Sequence, residues 1–166
     1  WTGVLIEPYM PNVEKCKRYR KSTTKVFHAA CVSPGYPGKE VKLLFSNLMT
    51  VELEPTGDIL DTLSHAREGA RFLGEGEFIH EFKAPARTLT DILNQAEAPT
   101  KVDLLSLDVE GNELAVLKGV DFQKYQIEFI CVETRSEQKV TEFLSEMGYS
   151  TLDHLSSHDV LYSRKN

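Results

Sequence analysis

The sequence predicts an α/β domain, a three-layer sandwich whose mostly parallel sheet ends in an antiparallel last strand. Two observations lead to this fold class. Short apolar runs, typical of strands buried on both faces, alternate with stretches of helical period. A strand-helix-strand order of this kind is the pattern of parallel sheets. The length of 166 residues suits a single domain with its own core.

The first part of the chain predicts a strand, a helix and a second strand. Residues 3–6 form an uninterrupted apolar run, which predicts a strand buried on both faces. Residues 11–22 place Val13 and Cys16 on one helical face among basic side chains. Residues 26–32 predict the second strand, which ends at a Ser-Pro-Gly sequence.

The middle of the chain, residues 35–87, has a weaker pattern. Residues 41–53 are partly extended in character, and residues 58–69 carry apolar side chains at helical spacing. Residues 78–82 alternate between apolar and polar side chains, which predicts an edge strand.

The last part of the chain alternates strands and helices with clear start and stop signals. Thr88 and Asp91 form a capping pair at a helix start. The predicted elements that follow are a buried strand at 102–108, a helix at 110–118 that Gly119 ends, a strand at 127–132, a helix that Ser136 caps, and a hairpin of two strands at 149–152 and 160–162.

The composition restricts the partners of the protein. With 19 basic and 25 acidic residues, the formal net charge is −6, which disfavours a nucleic-acid partner because such binding depends on basic phosphate contacts. No apolar run approaches the ~20 residues of a membrane span, so we expect no membrane partner.

The three cysteines, Cys16, Cys31 and Cys131, are widely spaced and form no Cys-x-x-Cys motif. Their number and spacing favour free thiols in a reducing compartment over a disulfide framework or a zinc site. The sequence therefore predicts a cytoplasmic protein without a metal.

Three predicted strands end at an acidic residue: Glu7, Asp108 and Glu133. The carboxyl ends of parallel strands lie at one edge of a sheet, where such folds bind ligands. Glu7 is placed to bind both ribose hydroxyls of a nucleotide-like cofactor. For each residue taken alone, a helix cap or a solvated side chain is the alternative.

A second acidic signal lies in the segment that begins at Asp108. Glu110 and Glu113 follow at the predicted helix start, so the three carboxylates are expected in one small volume. Complementation of the helix dipole is the alternative explanation. Convergence of the three carboxylates would raise the pKa of at least one of them, as happens at catalytic sites. His158 and Asp159, in the last hairpin, are candidates for the border of a substrate cleft.

Two segments, GVLIEP at residues 3–8 and VDLLSLDVEGNELAVLKG at residues 102–119, resemble the FkbM family of S-adenosylmethionine-dependent methyltransferases, which have a Rossmann-like fold. Thr88-Leu89 and Val132-Glu133 also lie where that family has them. The similarity extends in order over nearly the whole chain and is loose only in the middle region.

The resemblance implies S-adenosylmethionine as cofactor and O-methylation of a small-molecule hydroxyl. It implies that Glu7 binds the cofactor ribose and that Cys31 and Val32 border the adenine. It also implies cofactor contacts at the methyl-transfer face by three further residues, Asp108, Glu110 and Glu113. Since a carboxylate can accept the hydroxyl proton, Asp108 is the first candidate base and Glu133 the second.

The sequence departs from the family at its start. Family members carry a first strand and a glycine-rich turn before the GVLIEP run, and these 166 residues contain neither. We therefore keep an alternative function, a non-catalytic methyltransferase-like module that binds a ligand or associates with itself as a homo-oligomer.

Overall fold

The computed structural model describes residues 2–53, 58–59 and 61–165. In this part of the chain ten strands and five α-helices follow one another in this order: β1 Gly3–Glu7, α1 Met10–Tyr19, β2 Thr24–His28, β3 Ala30–Cys31, β4 Glu40–Phe45, β5 Val51–Glu52, α2 Thr62–Gly69, β6 His80–Arg87, α3 Leu89–Gln95, β7 Lys101–Leu107, α4 Glu113–Lys118, β8 Gln126–Glu133, α5 Glu137–Glu146, β9 Tyr149–His154 and β10 Asp159–Arg164. Short 3₁₀ turns at Asn47–Met49 and Ala70–Phe72 complete the set. The predicted α/β class is confirmed.

The strands form three hydrogen-bonded sheets, with strand orders β1-β2, β3-β6-β4-β5 and β7-β8-β10-β9. The β1/β2, β3/β6 and β7/β8 pairs are parallel, and the other pairs are antiparallel. The prediction of a mostly parallel sheet is therefore wrong, because the sheets are mixed. An apolar run indicates that a strand is buried, but it carries no information on the direction of its partner. The antiparallel final hairpin, β9 with β10, is confirmed.

One extended segment takes part in two sheets. In β2, His28 lies opposite Glu7 of β1, and three residues later Cys31 of β3 lies opposite Arg87 of β6. Ala29, between β2 and β3, is fully buried and donates its amide to the Glu7 carbonyl at 3.3 Å. The segment thus passes from the first sheet to the second without a loop.

The middle region forms the second sheet. The predicted edge strand at 78–82 is instead β6, which lies between β3 and β4, and the prediction was wrong because alternation does not distinguish a central from an edge strand. The predicted helix is confirmed as Thr62–Gly69, while Leu60 lies outside the described residues. This helix packs closely, since a Cβ on Gly69 would lie 2.8 Å from Met49 Cβ.

The main core lies between the third sheet and helices α3, α4 and α5. Its fully buried side chains include Leu117, Ile130 and Leu144. The predicted full burial of β1 and of β7 is not found: Gly3 of β1 is exposed and the rest of that strand is partly buried, and Leu104 of β7 is 44% exposed. Among the described residues β1 pairs with β2 alone and β7 with β8 alone, so each strand leaves one edge unpaired.

The helices are short. The longest of those within the described ranges, α1 and α5, have ten residues each, and none of the described helices has the length and apolar character required to cross a membrane.

Candidate functional site

Glu7 lies at the carboxyl end of β1, where the chain turns into α1. Its Oε1 accepts a hydrogen bond from the Tyr9 amide at 2.8 Å, and the Asn12 side chain contributes another. Burial raises the pKa of Glu7, while these two donors and the nearby His28 oppose the increase. The Nε2 atom of His28 lies 2.9 Å from the Pro8 carbonyl oxygen. The Glu7 carboxylate is therefore half-buried among groups that stabilise its charge.

A cavity of about 180 Å³ lies beyond the end of β3. Residues 31–37 form one wall, and Glu52 of β5 with Asn112 and Ala115, at the start of α4, forms the rest of the lining. Burial raises the pKa of the Cys31 thiol to about 12. Cys31 is accordingly a neutral, weakly polar part of the wall and not a thiolate nucleophile.

Residues close in the chain to both halves of the predicted site line this cavity. On one side, Cys31 lies three residues beyond His28, whose backbone is in register with Glu7. On the other side, Asn112 immediately precedes Glu113 in the acidic segment. Two regions about 80 residues apart in the sequence thus contribute to one concave surface.

The acidic segment forms a tight turn before α4. Glu110 and Gly111 both have left-handed backbones, with φ angles of 50° and 98°. The predicted helix at 110–118 therefore begins only at Glu113, because two successive left-handed residues cannot continue a right-handed helix. A Cβ on Gly111 would lie 2.9 Å from Ile59 Cγ1, so the close packing of Ile59 also favours glycine here.

Glu113 closes this turn. Its side chain, in a residue only 2% exposed, accepts hydrogen bonds from the amides of Gly111 at 2.8 Å and Val109 at 3.4 Å. Burial raises the pKa of Glu113, and the amide hydrogen bonds oppose the increase. Glu113 therefore organises the loop that carries Asp108 and Glu110, and a direct cofactor contact by Glu113 stays a prediction.

The carboxyl groups around the turn interact with one another. The Asp108 and Glu133 side chains share a hydrogen bond, which requires a proton on one of the two. Partial desolvation, together with neighbouring negative charges, raises the pKa of both groups. The same causes, with Asp108 the strongest negative neighbour, raise the pKa of Glu110 to about 7. The predicted crowding of charge is thus present, and it holds protons close to neutral pH.

The last hairpin borders this group of acids. Asp159 lies directly opposite Glu133 in the β8/β10 pair, and the His158 carbonyl accepts a hydrogen bond from the Thr134 amide at 2.9 Å. The negative charge of Asp159 contributes to the raised pKa of Glu133, and His158 acts in the opposite direction.

The structure therefore brings four of the predicted residues together, namely Asp108, Glu110, Glu113 and Glu133. Glu7 lies at the end of a different sheet and is not one of the charges that perturb this group. Within the described ranges, no three His, Cys, Asp or Glu side chains are arranged to hold a metal ion.

One residue near the site was not predicted from the sequence. His65 of α2 places its Nε2 atom 3.0 Å from Glu110 Oε2, and the two side chains are only 6% and 15% exposed. Burial, followed by the charge of Arg135, lowers the pKa of His65. Helical spacing places His65 and Ala66 on the buried face of α2, so the sequence contained a signal for burial but none for the partner.

Comparison with known proteins identifies the family. The family model described as the methyltransferase FkbM domain matches residues 1–151. No curated protein and no solved structure matches the chain. Since the matched region is most of the 166 residues, the resemblance of the two sequence segments is confirmed. The chain belongs to the FkbM methyltransferase family.

Proposed function

We propose that this methyltransferase domain binds S-adenosylmethionine and directs its methyl group to a hydroxyl oxygen of a small molecule. The observation that carries the proposal is the cavity between residues 31–37 and the start of α4. Its wall begins three residues beyond His28, which is in register with Glu7, and it includes Asn112, which directly precedes Glu113 of the acidic turn.

The residues present fit the cofactor. The half-buried Glu7 carboxylate can accept hydrogen bonds from two ribose hydroxyls, because its negative charge is already stabilised by Tyr9 and Asn12. The cavity of about 180 Å³, with Cys31, Val32 and Pro34 in its wall, offers a largely apolar surface to an aromatic base. A cavity of roughly 150 Å³ accommodates benzene in another protein.

The acidic turn supplies the proton acceptor. When bound, the sulfonium cofactor would supply an electrophilic methyl group. The Asp108 carboxylate would accept the proton that the acceptor hydroxyl loses as its oxygen becomes methylated. Because Glu133 already carries the proton of their shared hydrogen bond, it would release that proton to solvent as Asp108 takes up the new one. A pair of carboxyls with raised pKa values is suited to accepting and releasing protons.

The second candidate function is a non-catalytic module that associates with itself. The unpaired edges of β1 and β7 favour it, because an open strand edge is a template for pairing with another chain. The 44% exposure of Leu104 on β7 also favours a contact surface there.

Calorimetric titration with S-adenosylhomocysteine tests the proposal in three proteins, the wild type and the Glu7→Ala and Asp108→Asn variants. The wild type should bind at micromolar concentration, and Glu7→Ala should weaken binding at least ~10-fold through the loss of charge-assisted hydrogen bonds. Asp108→Asn should retain binding but lose ~10²–10⁴-fold in methylation of hydroxylated acceptors.

The exposed Glu14, whose ion pair with Lys17 lies at the surface, provides the matched control. Glu14→Ala should leave binding and methylation unchanged. Absence of binding by a folded wild-type chain, together with dimers in sedimentation, would instead support the self-associating module.

A further inference from the structure

A second and larger cavity lies away from the acidic turn. It has a volume of about 440 Å³ and is formed at the end of α1 and the start of β2. Three cationic side chains, two hydroxyls and one apolar side chain line it: Lys17, Arg20, Lys21, Ser22, Thr24 and Val26. No acidic residue is among them, and small-molecule sites have volumes of roughly 300–1,000 Å³.

The charge of the segment that forms this cavity differs in sign from the net charge of the whole chain. Residues 15–25 contain six Lys or Arg residues and no Asp or Glu, whereas the formal net charge of the whole chain is −6. Lys17 has a surface ion pair with Glu14 at 2.9 Å, with both side chains more than half exposed. In the part of the chain that the structure describes, Arg20 and Lys21 have no ion-pair partner.

The cavity is separate from the proposed cofactor site. Thr24, in its lining, is in register with Gly3 at the beginning of the parallel β1/β2 pair, and Glu7 is in register with His28 at the other end. Four residue steps along a strand are about 13 Å. A ligand in the basic cavity would therefore lie at the end of the β1/β2 pair opposite to Glu7.

We propose that this cavity binds a phosphate group. A guanidinium fork at Arg20 and the ammonium groups of Lys17 and Lys21 are the donors that recognise phosphate oxygens, and the hydroxyls of Ser22 and Thr24 add neutral donors. The end of α1 contributes only about half a negative charge. The Arg20 backbone amide also donates a hydrogen bond to the Cys16 carbonyl at 2.8 Å. The positive charge of the three cationic side chains therefore outweighs the partial negative charge at the helix end.

Calorimetry and amide NMR with inorganic phosphate and pyrophosphate as probes test this site. We expect saturable binding at an ionic strength of about 0.15 M, where diffuse charge is screened, with shifts confined to residues 17–26, and tighter binding of pyrophosphate because it carries more charge. The double variant Arg20→Gln/Lys21→Gln should weaken binding at least ~10-fold, since two charge-assisted contacts are lost. Circular dichroism of the variant checks that it is folded.

The control removes the same charge from the same segment outside the cavity. Lys15→Gln/Arg18→Gln should change pyrophosphate affinity less than ~2-fold, because diffuse charge contributes little once screened. Equal weakening by both double variants, or no saturable binding by the folded wild type, would overturn the proposal. Titration with S-adenosylhomocysteine should be unaffected by either double variant, so failure here is distinguishable from failure of the proposed methyl transfer.

Vesicles distinguish the two sources of such a phosphate. Sedimentation with phosphatidic acid vesicles, compared with phosphatidylcholine alone, should show binding lost in Arg20→Gln/Lys21→Gln if the ligand is a lipid headgroup. Pyrophosphate binding without vesicle binding would assign the cavity to a soluble phosphorylated molecule. Either result supports the phosphate site and names its ligand class.

Discussion

Two strands of this domain, β1 and β7, end beside an acidic residue, yet the surroundings of the two residues differ. Glu7 is a single carboxylate held by the Tyr9 amide and the Asn12 side chain, with His28 nearby. Asp108 belongs to a group of carboxyls, and its immediate partner, Glu133, is itself an acid. The first arrangement stabilises negative charge, while the second disfavours it.

This difference separates two chemical tasks. A carboxylate that remains charged is suited to bind hydroxyl groups, whereas carboxyls that compete for protons are suited to accept and release them. Burial raises the pKa of both Glu7 and Asp108, so the neighbouring groups are what distinguish these two residues. The same sequence signal, an acid after a buried strand, therefore does not by itself indicate which task a residue has.

The largest expected effect on stability is that of Glu113→Ala. It would leave the Gly111 and Val109 amides of the acidic turn without an acceptor, and we expect a loss of about 3–4 kcal/mol in the free energy of unfolding. Denaturant unfolding measures it. The same change at Glu7, where a half-buried residue has one amide partner, should cost about 1 kcal/mol or less.

Glu113→Gln is the matched control, since its amide oxygen can still accept both hydrogen bonds. It should cost less than half as much as Glu113→Ala. Equal losses in the two variants would mean that the turn depends on the charge of Glu113 and not on its hydrogen bonds.

An intermediate effect is expected from Gly111→Ala. The φ of 98° and a Cβ 2.9 Å from Ile59 Cγ1 predict a destabilisation of about 2–3 kcal/mol, measured as a shift in the unfolding midpoint. Gly148 has a similar φ of 87°, but no described residue beyond its chain neighbours lies within 4 Å of an added Cβ. Gly148→Ala should therefore cost only about 1 kcal/mol, from backbone strain. If the two variants are equally stable, the contact with Ile59 is easily relieved.

An effect of comparable size concerns pH. Folding raises the pKa of Glu110 from 4.5 to about 7, so the folded chain binds this proton more tightly than the unfolded chain. The contribution of Glu110 is therefore complete below about pH 4.5 and is lost as the pH rises to about 7. Relative to Glu110→Gln, the wild type should lose about 3 kcal/mol of stability between pH 4.5 and pH 8. Parallel stability curves for the two proteins would contradict the raised pKa.

The local signals in the sequence predicted much of the fold. The Thr88 hydroxyl accepts a hydrogen bond from the Asp91 amide at 3.1 Å, as the capping pair predicts. The residues that begin and end the last hairpin also lie close to their predicted positions. Such features depend on neighbouring residues, so a single sequence contains them. The family similarity likewise depended on a contiguous motif around Asp108.

The features that the sequence did not predict depend on contacts between distant residues. Gly111 packs against Ile59, about fifty residues earlier in the sequence, and the position of β6 is fixed by its two partner strands. His65 meets Glu110 only because α2 packs beside the turn. None of these contacts leaves a periodic pattern along the chain.

The extended segment from Thr24 to Cys31 has a consequence for the cooperativity of unfolding. Because its hydrogen bonds belong first to β1 and then to β6, neither sheet can open fully without releasing part of the other. The amide of Ala29, buried at the junction, should therefore exchange with solvent only when the whole domain opens. A continuous strand in this position makes two sheets with separate hydrogen-bond ladders behave as one folding unit.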